Sequence, residues 1–133
     1  QVVISGTPEA VQAVMSQVKT KRAIPLKVSG AFHSHLMKAA ATEFQEVLDS
    51  VVFQSAVVPV LSNVDPVPAL AADTLKQRLS QQMTGSVRWR EISLQLAENG
   101  VEIGLGNVLT GLIKRSSPNL ILENIRSAGE LPN

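Results

Sequence analysis

Residues 1–30, "QVVISGTPEAVQAVMSQVKTKRAIPLKVSG", read as strand, helix, strand. Val2, Val3 and Ile4 form a β-branched run that ends at Gly6. Thr7 suits an N-cap, and Pro8 suits the first helical position, where its missing N–H is no loss. Glu9 complements the positive end of the helix dipole. Val11, Val14, Met15 and Val18 then recur at helical spacing. Ile24, Leu26 and Val28 alternate with Pro25, Lys27 and Ser29, the pattern of a strand with one wet face.

Beyond Gly30 the alternation of strands and helices continues, which argues for an α/β architecture. Ser34 can cap a helix with the apolar stripe Leu36, Met37, Ala40, Phe44, Val47 and Leu48. "VVPVLSNVDP" (57–66) is a nearly continuous apolar run and reads as one strand buried on both faces. Asp73 is the expected N-cap of a helix carrying Leu75, Leu79 and Met83. "VRWREISLQLAENG" (87–100) reads as a helix closed by Gly100. The strand "VEIG" (101–104) that follows falls short of the usual length of about 5–6 residues. "GNVLTGLIKR" (106–115) reads as a helix ending in two cations, as the dipole prefers. A domain boundary is expected near Gly30, where a half-exposed strand gives way to buried ones.

Composition narrows the function classes. Twelve basic and 11 acidic side chains leave a net charge of +1, so no strong field calls for nucleic acid or an anionic membrane. The densest basic cluster, "KTKR" (19–22), follows a predicted helix, where cations are favoured by the dipole; a docking patch for an acidic partner is the alternative. No apolar run approaches the roughly 18 residues of a membrane span. The absence of cysteine excludes disulfides and thiolate metal sites and fits a reducing compartment. Because Gln1 already opens a strand pattern, further sequence is expected upstream.

The chain has two histidines, both in "VSGAFHSHLM" (28–37). On a strand, His33 and His35 would share a face and could hold a divalent metal, but a catalytic site needs a third protein ligand, and no other His or Cys exists. The expectation is therefore no metal. If Ser34 caps a helix, His33 lies just before its positive end, where an uncharged imidazole able to accept a proton is favoured. His35 would then be the first helical residue, pointing to solvent. A hydrogen-bonded turn histidine with no chemical role is the other reading of His33. No Gly-x-Ser-x-Gly elbow accompanies it, since Ser5, Ser29 and Ser86 lack the flanking glycines. "GLGN" (104–107) lacks the third glycine of a phosphate-binding fingerprint, so close backbone packing is the simpler reason for its glycines.

Five segments in order, "QVVISG", "VSGAFHSHLM", "PVLSNVD", "QQMTGSVRWRE" and "GNVLTGLIKR", together resemble the C-terminal half of the malonyl-CoA:acyl carrier protein transacylase family, in its bacterial and cyanobacterial form. The similarity runs from Gln1 to about Arg115, and "AFHS-x-LM" and "GSVRW" are its most specific blocks. The resemblance implies a ping-pong transfer of malonyl from coenzyme A through an acyl-serine to the phosphopantetheine thiol of acyl carrier protein, as in fatty acid biosynthesis. It makes His33 the general acid/base and Gln82 the residue whose main-chain carbonyl orients it. The serine elbow, the arginine for the malonyl carboxylate and the oxyanion glutamine would lie upstream, so this chain alone is expected to be inactive.

In fold, the resemblance implies that residues 1–30 end a ferredoxin-like small subdomain and that residues 31–133 form the C-terminal part of an α/β-hydrolase-like large one. It implies no cofactor beyond the substrates malonyl-CoA and carrier protein, no nucleic-acid or membrane partner, a monomer when complete, and a cytoplasmic location. Lys19, Lys21 and Arg22, or Lys114 and Arg115, could meet the acidic carrier. The sequence departs from the family where His35 replaces a usual proline and "GLG" replaces Gly-Pro-Gly. The alternatives are an acyltransferase domain of a multidomain polyketide or fatty acid synthase, which "VRW" and "VLTGL" disfavour, and a non-catalytic remnant or binding module.

Overall fold

The computed structural model of the chain describes residues 2–96 and 99–131. Backbone contacts divide it into two compact units, residues 1–87 and 88–133.

In the first unit, helix α1 (Pro8–Gln17) starts as its sequence dictates. The Thr7 hydroxyl accepts the Ala10 N–H at 3.2 Å and Pro8 occupies the first turn. None of its residues is buried. The strands expected on either side do not form. Residues 2–4 and 24–28 are exposed and enter no ladder among the described residues. A strand exists only through a hydrogen-bonded neighbour, and β-branched composition cannot supply one. The Val28 N–H instead closes a local turn onto Leu26 O at 3.1 Å.

Ser34 caps a single 3₁₀ turn (His35–Met37), which runs on into α2 (Lys38–Ser50). Its hydroxyl accepts the Leu36 N–H at 3.3 Å and donates to Ala31 O at 2.7 Å. The continuous strand expected over 57–66 is instead broken by a turn. β1 (Val60–Ser62) and β2 (Asp65–Ala69) pair antiparallel about the tip Asn63–Val64, with Val60 opposite Ala69 and Ser62 opposite Asp65. Asp65 helps set the return by accepting the Val67 N–H at 3.1 Å. α3 (Ala72–Gln81) has Ala71, not Asp73, at its N-cap. Asp73 is the second residue of the helix, in its first turn, where its charge meets the dipole without capping. α3 packs on α2, where Leu48 is buried, and on the hairpin. Arg78 fastens the hairpin: 7% exposed, it donates to Val67 O and to the Asp65 carboxylate, each at 2.5 Å.

The second unit is built on a strand–helix–strand crossover. Its first helix, α4 (Trp89–Ser93), is far shorter than the expected 87–100. It ends at Ser93 with Leu94 as C-cap, and Gly100 belongs to the next strand; Ala97 and Glu98 of the expected helix lie outside the described residues. β3 (Asn99–Ile103) is thus five residues long, not curtailed. It runs parallel to β4 (Ile121–Ile125), a strand the periodicity did not announce, in register from Asn99 opposite Ile121 to Ile103 opposite Ile125. At Gly100 a Cβ would sit 2.8 Å from Leu122 Cδ2, so a larger residue would require the end of that leucine to shift. Between the strands runs α5 (Val108–Ser116), as expected, with Lys114 and Arg115 in its last turn. Among the described residues of this unit, Ile92, Ser93, Ile113 and Ile125 are buried.

The N-terminus of α5 is capped from a distance. Asn107 makes no side-chain cap; the Glu102 carboxylate on β3 accepts the N–H groups of Leu109 and Thr110, each at 2.9 Å, and the Thr110 hydroxyl at 2.5 Å. An internal anion therefore already occupies the position that a phosphate would take after "GLGN".

Candidate active site around His33

The site is assembled at the end of α3. A helix leaves its last carbonyls without intrahelical donors, and the turn after Gln81 adds more. His33 takes three of these. Its backbone N–H donates to Met83 O at 2.9 Å, and its ring Nδ1 lies 3.0 Å from Gln82 O and 3.2 Å from Gly85 O. To present backbone and ring to the same turn, His33 adopts φ +64, the one non-glycine residue described with a left-handed backbone. Such a conformation costs on the order of 1–3 kcal/mol and persists where surroundings enforce it.

The partners of Nδ1 settle the chemistry of the ring. Carbonyls only accept, so Nδ1 carries a hydrogen, and in the neutral imidazole Nε2 carries the lone pair. Among the described residues nothing bonds Nε2. His33 itself is exposed and borders a cavity of about 310 Å³ lined by Phe32, Phe44, Leu79, Gln82 and Met83. An arrangement of this kind can take a proton at Nε2 while carbonyl oxygens stabilise the positive charge arriving on the ring.

The electrostatics around the ring differ from expectation. α2 begins only at Lys38, so the residue after His33 caps one 3₁₀ turn rather than a full helix, and the ring faces the carbonyl end of α3. Ser34 cannot partner the ring, because its hydroxyl is committed to Ala31 O.

The structure brings His33 and Gln82 together through the main-chain oxygen of Gln82. His35 sits apart from them at the start of the 3₁₀ turn, exposed. Among the described residues no three His, Cys, Asp or Glu side chains are grouped to hold a metal. Gly85 was not legible as a site residue. Its carbonyl carries no side-chain signature, and only the spacing of "TG" from Gln82 hinted at a tight turn.

No family model matches the chain. A malonyl CoA-acyl carrier protein transacylase from Synechocystis sp. is 53% identical over 98% of this chain and 46% of that protein's length. The counterpart from Bacillus subtilis is 43% identical over 90% of the chain and 40% of its own length. Among solved structures, the Synechocystis transacylase superposes with a TM-score of 0.89 at 50% identity, over 94% of this chain and 44% of that one. A malonyl-transacylase in complex with a type II polyketide synthase acyl-carrier protein gives 0.82 at 34% identity, over 92% and 42%. The chain spans about half the length of the curated relatives it matches. Its strands and helices are thus part of an α/β acyltransferase fold. The family resembled by "AFHS" and "GSVRW" and the relatives found by comparison coincide, and the chain is similar to about half of a malonyl CoA-acyl carrier protein transacylase.

Proposed function

We propose that this chain supplies the proton-transferring part of a malonyl-CoA:acyl carrier protein transacylase. The observation that carries the reading is the His33 ring held at Nδ1 by Gln82 O, with Nε2 left to exchange a proton. The nucleophilic serine comes from polypeptide outside this chain, which contains no Gly-x-Ser-x-Gly elbow. As that serine attacks the thioester carbonyl of malonyl-CoA, His33 Nε2 takes its hydroxyl proton. When the C–S bond breaks, the same proton passes to the departing coenzyme A thiolate, leaving malonyl-serine. The carrier protein's phosphopantetheine thiol then attacks; its proton goes to Nε2 and returns to the serine oxygen as malonyl leaves.

In this reading residues 1–30 close a ferredoxin-like subdomain and residues 31–133 return into the large α/β-hydrolase-like one. No cofactor takes part, and the enzyme works in the cytoplasm as a monomer; no described helix is long and apolar enough to cross a membrane. The acyl carrier protein is the macromolecular partner, a reading supported by the relatives' names and by the solved complex. A place in polyketide assembly is the second reading, favoured by 42% identity over 123 residues to the polyketide biosynthesis protein PksE of Bacillus subtilis, of which the chain covers 16%.

The test is malonyl transfer by the enzyme completed with its serine-bearing half, compared with its His33→Ala variant. A loss of about 10²–10⁴ is expected. A loss of under about tenfold would reject His33 as the acid/base.

A further inference from the structure

The ring hydrogen of His33 is shared by two carbonyls, three residues apart on one turn: Gln82 O at 3.0 Å and Gly85 O at 3.2 Å from Nδ1. A single acceptor fixes one direction of a ring N–H. Two acceptors also resist rotation of the ring about its bond to Cβ, because a turn that keeps one bond loosens the other.

What brings the second carbonyl there is the absence of a side chain. The Gly85 N–H closes the turn on Gln81 O at 2.8 Å. A Cβ on residue 85 would stand 2.7 Å from Val64 Cγ1 and 2.9 Å from Gln81 O, closer than real Cβ contacts come. Val64 lies at the tip of the β1–β2 hairpin. The turn rests on that tip only because residue 85 is glycine. Any larger residue would lift it and carry its carbonyl away from the ring.

We propose that Gly85 is a positioning residue of this site. Together with Gln82 its carbonyl forms a two-acceptor cradle that locks the His33 imidazole in the Nδ1–H tautomer, and its lack of a Cβ lets the cradle close against Val64. The proposal rests on the reading of His33 as the acid/base for its purpose, but tautomer and orientation are measured without turnover.

Histidine-selective ¹⁵N labelling of the full chain gives two imidazoles, assigned with a His35→Gln variant, and long-range ¹H–¹⁵N correlation reports each tautomer. In the parent chain His33 should populate the Nδ1–H form and His35 the mixture of a free imidazole. Two perturbations address Gly85. Gly85→Ala adds the Cβ, and an ester in place of the amide between Gly85 and Ser86 weakens the Gly85 carbonyl as an acceptor without adding bulk. Each should lower the Nδ1–H to Nε2–H ratio of His33 by about twofold to tenfold, the worth of one hydrogen bond, and leave His35 unchanged. An unchanged ratio in both variants, or a parent His33 indistinguishable from His35, overturns the proposal. Should Gly85→Ala lose its amide dispersion, the ester variant alone decides. The two readings fail separately. Full transfer by the completed His33→Ala enzyme rejects the acid/base role whatever the tautomer, whereas an unperturbed tautomer beside a large His33→Ala loss rejects Gly85 alone.

Discussion

His33 Nδ1 and the carbonyl oxygen of Gln82 stand 3.0 Å apart across 49 positions of sequence. The contact is to the main chain, so it depends on where the α3 terminus lies and not on what side chain residue 82 bears. Gln82→Ala in the completed enzyme should therefore hold malonyl transfer within about threefold of the parent, a far smaller effect than the factor of about 10²–10⁴ that general acid–base catalysis supplies. A hundredfold fall in kcat for Gln82→Ala would show that the side chain, not the carbonyl, does the orienting.

Arg78 makes two charge-assisted polar links in the first unit. Its guanidinium, 7% exposed, ties α3 to β2 through Val67 O and the carboxylate of Asp65. Arg78→Ala removes a charge-assisted pair and leaves the Asp65 carboxylate short of a partner, which should cost about 2–3 kcal/mol in urea unfolding. Arg78→Lys should recover little, because one ammonium cannot span both acceptors. Equal stability of all three proteins would remove Arg78 from the account of the hairpin.

Acid should loosen the second unit through Glu102. Its carboxyl is held below the usual carboxylate range, first by the Thr110 hydroxyl, which desolvation as the next largest effect opposes, and then by the N–H groups of Thr110 and Leu109 and the charge of Arg126. A folded pKa below the unfolded one means the carboxylate's contribution is whole above the unfolded value of about 4.3 and is lost as pH falls through the folded value. Glu102→Gln should lower the melting temperature at pH 7, and the gap should close as the pH drops below that of a free glutamate. A gap that stays constant with pH would mean the charge is not what caps α5.

Docking of an acidic carrier protein by the completed enzyme, as proposed, is testable by charge. Lys21 and Arg22 are exposed beyond α1, and Lys114 and Arg115 end α5. Reversing either pair to Glu should raise KM for the carrier protein and spare KM for malonyl-CoA, with the effect shrinking in high salt. Equal changes in both constants would reject that pair as a docking site.

Legibility from sequence followed the range of the interactions. Several local signals held: Thr7 and Pro8 start α1, Ser34 caps the turn before α2, and "GNVLTGLIKR" carries α5, whereas Asp73 does not cap α3. Signals that depend on a distant partner failed. Val2–Ile4 and Ile24–Val28 carry strand composition but find no ladder among the described residues. Gly100 reads as a helix stop, yet it is a strand residue paired with Leu122 across the sheet. Glu102 caps a helix from seven and eight positions away, beyond the reach of any capping-box pattern. At the site, His33 stood out as a rare titratable residue at an element start, and Gln82 came through the resemblance, whereas Gly85 acts by an oxygen every residue possesses.

The left-handed backbone at His33 also decides which substitutions the turn will accept. Asparagine accepts that conformation more readily than most L residues, while valine or isoleucine would strain it. A library at this one codon would thus be sorted by torsion before chemistry. His33→Asn is the substitution to choose where the imidazole is to be removed and the turn kept.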